Sequence, residues 1–120
     1  MDLLEIFKDS EDVVDFPAKS VIAEVGTEGD QLYVVIEGEV TISINERVLA
    51  TARAGEMVGE MALINSNIRS ANLTAKTDCR LALIDQASFN LLLQHVPSFS
   101  LHVMMLLAER LRHAYEVIGQ

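Results

Sequence analysis

At 120 residues, half of them hydrophobic, the chain carries enough apolar material for one core and leaves little length for a second, so disorder is excluded and one domain spanning 1–120 is expected. The formal net charge of −9 argues against a nucleic-acid-binding surface, because phosphate contacts need clustered Lys and Arg. A single cysteine, Cys79, forbids an internal disulfide, and the acidic start Met1-Asp2-Leu3-Leu4-Glu5 lacks the basic end of a signal peptide, so a cytoplasmic location is expected.

In chain order, Asp2 to Lys8 holds the apolar cluster Leu3, Leu4, Ile6 and Phe7, which suits one or two helical turns within an N-terminal helical segment, 1–12. From Val13 the pattern changes to short runs rich in Val and Ile with glycine-bearing breaks. Strands are predicted at Val13–Phe16, Ser20–Val25, Gln31–Ile36, Glu39–Ile44 and Arg47–Ala52, with Asn45-Glu46 as a hairpin turn. A short strand at Glu56–Val58 and two later ones at Ser70–Thr77 and Arg80–Ile84 bring the total to eight. The fold class is therefore mainly β with flanking α: an eight-stranded jelly-roll barrel, cupin-like, over 13–84.

At Asp85 the period lengthens. Asp85 is a candidate N-cap for a short helix that carries Phe89, Leu91, Leu92 and Leu93 and stops before Pro97. Ser98 or Ser100 is expected to open a longer helix, and the two helices occupy 85–120. The longer one places Leu101, Met104, Met105, Leu107, Ala108, Leu111, Ala114, Tyr115 and Ile118 on more than one face, while Glu109, Arg110, Arg112 and Glu116 suit water. Because Glu109 and Arg110 interrupt it, this stretch does not reach the ~18–20 apolar residues of a membrane span. The apolar excess points instead to a homodimer through the last helix.

Chemistry concentrates in Gly59-Glu60-Met61-Ala62-Leu63-Ile64-Asn65-Ser66-Asn67-Ile68-Arg69-Ser70-Ala71. Gly59 lets the backbone approach a ligand, and Met61 to Ile64 suit a single helical turn whose free N–H groups favour an anion. Arg69 returns after the polar Asn65-Ser66-Asn67 turn with a fixed charge and forked donors. Glu60 would repel that anion at close range, so its carboxylate suits a sugar hydroxyl slightly further away. Phosphate plus ribose suggests a nucleotide.

Gly59-Glu60-Met61-Ala62-Leu63, five residues, then Arg69-Ser70-Ala71 resembles the phosphate-binding cassette, 59–71, of the cyclic nucleotide-binding domain family. Phe16-Pro17-Ala18, Gly26-Thr27-Glu28-Gly29-Asp30, Tyr33 to Ile36 and Glu37-Gly38-Glu39-Val40 extend the resemblance over nearly the whole chain. It implies a sensor similar to the regulatory half of the catabolite activator protein family and to the regulatory domains of cyclic nucleotide-dependent kinases. Glu60 would take the ribose 2′-hydroxyl, Arg69 the cyclic phosphate, and the N–H groups of Ala62 and Ser70 the phosphate oxygens, with the Ser70 hydroxyl as a further donor. The ligand would be cAMP in preference to cGMP, with cyclic dinucleotides still open. The helices would rearrange on binding and be read by a separate effector protein of unknown identity. Ala18, Ser66 and Ile68 depart from the family's usual glycine, glycine and proline, which touches loop geometry rather than ligand-contacting side chains.

Two other readings compete. A domain that keeps the fold as a structural or dimerisation module without nucleotide would carry the same strands. A cupin-like metalloenzyme would need histidines on the strands, and His95, His102 and His113 all fall in the helical tail, so neither catalysis nor a metal or other cofactor is expected. Cys79 sits between Asp78 and Arg80 with no histidine beside it in sequence and reads as a structural thiol. The Met104-Met105 pair reads as core or a helix seam.

Overall fold

Apolar runs divided by turn residues set the order of the elements. The computed structural model describes residues 1–119, in the order α1 (Leu3–Phe7), β1 (Val13–Phe16), β2 (Val21–Ala23), β3 (Gln31–Glu37), β4 (Val40–Ile44), β5 (Arg47–Ala52), β6 (Met57–Val58), α2 (Glu60–Ile64), β7 (Asn72–Ala75), β8 (Cys79–Asp85), α3 (Gln86–His95) and α4 (Pro97–Ile118). The expected helical tail reaches residue 120, which lies outside the described residues. Backbone contacts gather Asp2–Gln86 into one compact unit and the helices from Ala87 onward into another.

In the first unit every ladder is antiparallel. One sheet runs β1-β8-β3-β6 and the other β2-β7-β4-β5. Tyr33, Val35, Val58, Cys79 and Leu81 of the first sheet meet Val40, Ala52, Leu73 and Ala75 of the second in one core. Among the described residues no ladder joins the sheets, so the expected closed barrel is corrected to two open sheets face to face. The physical reason lies at the edges: β2 is three residues long and β6 two, too short to carry pairing around a corner.

β3 is the scaffold strand. Leu32, Tyr33, Val34 and Val35 are all buried, so both of its faces are covered and its sequence reads as a continuous apolar run rather than an alternation. It pairs with β8 and β6, and α1 and α2 lie against it. Beside it Cys79 is fully structural. Its Sγ donates to the carbonyls of Glu39 at 3.1 Å and Thr77 at 3.2 Å, and burial pushes the thiol up, away from the thiolate form.

Several boundaries shift for identifiable reasons. β2 is shorter than Ser20–Val25 because the Ser20 hydroxyl donates to the Pro17 carbonyl and the Val25 N–H to Asn72 Oδ1. β7 begins only after Ser70 and Ala71, which stay in the cassette. In the second unit α4 opens at Pro97 rather than at Ser98 or Ser100, since proline at the first helical position has its φ already set and lacks an N–H that would go unpaired. Ser100 is inside the helix, and its hydroxyl donates back to the Leu93 carbonyl at 2.8 Å. Phe89 and Phe99, both 1% exposed, meet edge to face at 5.9 Å between ring centroids and join α3 to α4 across a bend of 109°. No single helix among the described residues is long and apolar enough to cross a membrane.

The Asn45-Glu46 turn is where it was expected, with φ of +51° and +66°, so β4 and β5 form a two-residue hairpin of the primed type. Glu46 holds a left-handed backbone that its Cβ disfavours. Glu46→Gly is expected to stabilise the protein by about 0.5–1 kcal/mol, read as a higher urea midpoint at unchanged slope; an unchanged or lower midpoint would refute the strain at this turn.

Candidate functional site

The cassette is built on β3. Val58 ends β6, Gly59 turns the chain with φ of +81°, and α2 begins at once with Glu60 in its first turn. Gly59 has no side chain to cap the helix, and an added Cβ would come within 2.6 Å of Arg69 Nη1. The turn after α2 reverses through Ser66 and Asn67, at φ of +71° and +57°, and the Asn67 N–H donates back to the Ala62 carbonyl at 2.9 Å. That reversal delivers Arg69. Asn67 is of a type that tolerates the left-handed region, whereas Ser66 holds it without glycine's freedom.

A second segment closes over the first. The β2–β3 loop lies antiparallel to the end of the cassette, with a bridge between Glu28 and Ile68. Gly26 N–H donates to the Arg69 carbonyl at 2.9 Å, Arg69 N–H to Thr27 at 2.8 Å, and Gly29 N–H to Asn67 at 2.8 Å. Arg69 is therefore fixed through its own main chain before its side chain makes any contact.

Arg69 is 6% exposed. Nη1 donates to the Gly59 carbonyl at 3.1 Å and Nη2 to the Gln31 carbonyl at 2.7 Å, while the guanidinium lies 5.5 Å from the centroid of the Tyr33 ring. Gly29 packs so closely that a Cβ there would fall on Nε and Cζ. Two of the five N–H donors are spent on neutral carbonyls, which carry no full charge, so the rest of the fork and the positive charge suit a phosphate. Glu60 is 1% exposed, and it and Arg69 are the buried charged residues among those described.

The other expected contacts divide into two groups. Gly59, Glu60, Ala62 and Arg69 lie at the buried end of the cassette around β3, and Ala71 is half-buried on the way to β7. Met61 and Ser70 face outward, with the Ser70 hydroxyl donating to Met61 Sδ at 3.5 Å, so that hydroxyl is engaged on the outer side of α2 in this structure. Sequence reasoning left out Gly29, Tyr33 and the Gln31 carbonyl as parts of the site. The Gly26-to-Asp30 stretch was visible as a turn, but its contact with Arg69 is long-range. No group of three or more metal-ligating side chains converges among the described residues.

Known proteins resemble this chain in sequence and in fold. Residues 13–96 match the family model described as the cyclic nucleotide-binding domain. The chain is 36% identical over 86 residues to a cAMP-dependent protein kinase regulatory subunit of Schizosaccharomyces pombe, covering 71% of this chain and 21% of the relative. It is 30% identical over 110 residues to the cAMP-activated global transcriptional regulator CRP of Salmonella typhimurium, covering 87% of this chain and 52% of that protein. Among solved structures, the c-di-GMP responsive global regulator CLP of Xanthomonas campestris superposes with a TM-score of 0.82 at 27% identity, over 98% of this chain and 62% of that one. The chain thus spans about half the length of the transcriptional regulator it matches and about a fifth of the kinase subunit.

The close approach of Gly29 to Arg69 is directly testable. Gly29→Ala is expected to cost about 1–3 kcal/mol in urea unfolding by overpacking the guanidinium. The same substitution in an Arg69→Ala background should cost under about 0.5 kcal/mol, since the colliding group is gone. Additive costs would show that Gly29 does not press on Arg69.

Proposed function

The chain belongs to the cyclic nucleotide-binding domain family, and from that premise we propose that it binds a cyclic nucleotide in the 59–71 cassette and reports occupancy through its helices. One observation carries the reading: Glu60 and Arg69, the buried charged residues among those described, are the two whose charge the cassette chemistry needs. Burying a charge is expensive, and a fold keeps one where it meets a partner. In this reading Arg69 pairs with the cyclic phosphate, the N–H groups of Ala62 and Ser70 donate to its oxygens, and Glu60 accepts from the ribose 2′-hydroxyl. Gly59, Met61 and Ala71 shape the loop around them. We propose cAMP as the preferred ligand over cGMP, a choice the titration below decides.

The module senses and does not catalyse. Ligand affinity must differ between two arrangements of α3 and α4 for occupancy to shift them, and the larger that difference the stronger the signal. Calorimetric titration of nucleotide-stripped protein is expected to give micromolar binding of cAMP and weaker binding of cGMP. Arg69→Ala should lose about 2–5 kcal/mol of that affinity, and Glu60→Ala less, because a neutral hydroxyl is easier to leave unpaired than a phosphate. Equal and negligible losses from both variants, or no heat from folded wild type, would move the assignment to a domain that keeps the fold without the ligand.

The readout surface is proposed to be α4. Leu101, Met104, Met105, Leu111, Tyr115 and Ile118 are all more than half exposed, a density of apolar side chains that suits a second copy of the same helix. Size-exclusion chromatography with light scattering is expected to give a dimer that Met104→Glu/Met105→Glu converts to monomer; a wild-type monomer at high concentration would remove this part of the reading.

A further inference from the structure

Resting on the nucleotide-binding reading, the structure assigns a positioning role to a residue outside the cassette: we infer that Gln86 couples the cassette helix to the first turn of α3. The case begins with the carbonyls at the end of α2. The Met61 carbonyl accepts from the Asn65 N–H and the Ala62 carbonyl from the Asn67 N–H, both at 2.9 Å. The next carbonyl, that of Leu63, is taken by a side chain: Gln86 Nε2 donates to it at 3.1 Å from 23 residues further along. A five-residue helix has few bonds of its own, so one more tie at its end is a large share of what fixes it.

The place of Gln86 in the chain gives that tie its consequence. Asp85 ends β8, and Gln86 is the first residue of α3, which continues without a break to His95. β8 is anchored on both sides, by β1 and by β3, so the junction itself is held. A shift of α2 when a phosphate draws on Arg69 therefore has two outcomes at Gln86: the bond breaks, or the first turn of α3 follows it. Gln86 thus turns cassette occupancy into a force on the helical tail, and it touches neither the phosphate nor the ribose. The same residue also transmits in reverse, since any equilibrium that the ligand shifts must act back on the ligand's affinity.

The experiment is amide hydrogen exchange on the full chain, wild type against Gln86→Leu and the isosteric Gln86→Glu, with and without cAMP. Neither replacement can donate to Leu63, and both are good helix formers. Without ligand, exchange at Asn65 and Asn67 is expected to rise about fivefold in both variants, the effect of one hydrogen bond, and peptides covering 86–95 should loosen with them. Loosening confined to α2 would overturn the coupling. With saturating cAMP, the wild type is expected to change protection along α4 while both variants bind and lose most of that change; a full response in either variant would also overturn it. No calorimetric binding by wild type would defeat the nucleotide reading by itself, and the ligand-free arm would still decide the tie.

Discussion

The buried cation of Arg69 organises this protein. Arg69 is held by its own main chain against the β2–β3 loop, by the carbonyls of Gly59 and Gln31, and over the face of Tyr33. Each contact constrains a different element. The loop must carry glycine at position 29, α2 must start from a left-handed residue at 59, and β3 must end its preceding turn with the Gln31 carbonyl turned towards the guanidinium. A lysine could reach the same place with its charge but could not serve two carbonyls and hold further donors in one planar fork. The site is thus specified by a geometry that only one side chain satisfies.

β3 converts that local demand into a property of the whole sheet. Its central position means that α1, α2, β6 and β8 all rest on one strand of seven residues. Tyr33 faces the intersheet core and also lies under the guanidinium, so the packing that stabilises the fold is the packing that sets the height of the cation. Burial and recognition are not separable here. The strand's neighbours Leu32 and Val34 are fully buried on the other face, which leaves the backbone no room to relax if the core face is disturbed.

The parts of this structure that were legible in the sequence are those encoded by neighbouring residues. Val and Ile runs located β1, β3, β4 and β5 because period and composition are local signals. Between Gly59 and Arg69 the helical turn and the polar reversal were legible from the residues, while the cassette was named through the family resemblance. The closure of the sheets was not legible, since it depends on how far β2 and β6 pair before their backbone bonds go to turns. Gly29 and Gln86 were missed for a related reason: each acts on a residue far along the chain, and neither type advertises a contact. The start of α4 was misplaced because serine is a good cap in general, while Pro97 sits where its missing N–H costs nothing.

The chain contains no tryptophan and two tyrosines. Tyr33 lies beneath Arg69 in the cassette, buried and close to a cation, and Tyr115 stands 63% exposed near the end of α4. All phenolic absorption and emission therefore arises from two places, one at the receiving end of the proposed signal and one at its output. One ring is buried beside a cation and the other is in water, so quenchers in solvent reach them unequally. Replacing either tyrosine by phenylalanine leaves the other as the sole phenol, so each end can be followed alone.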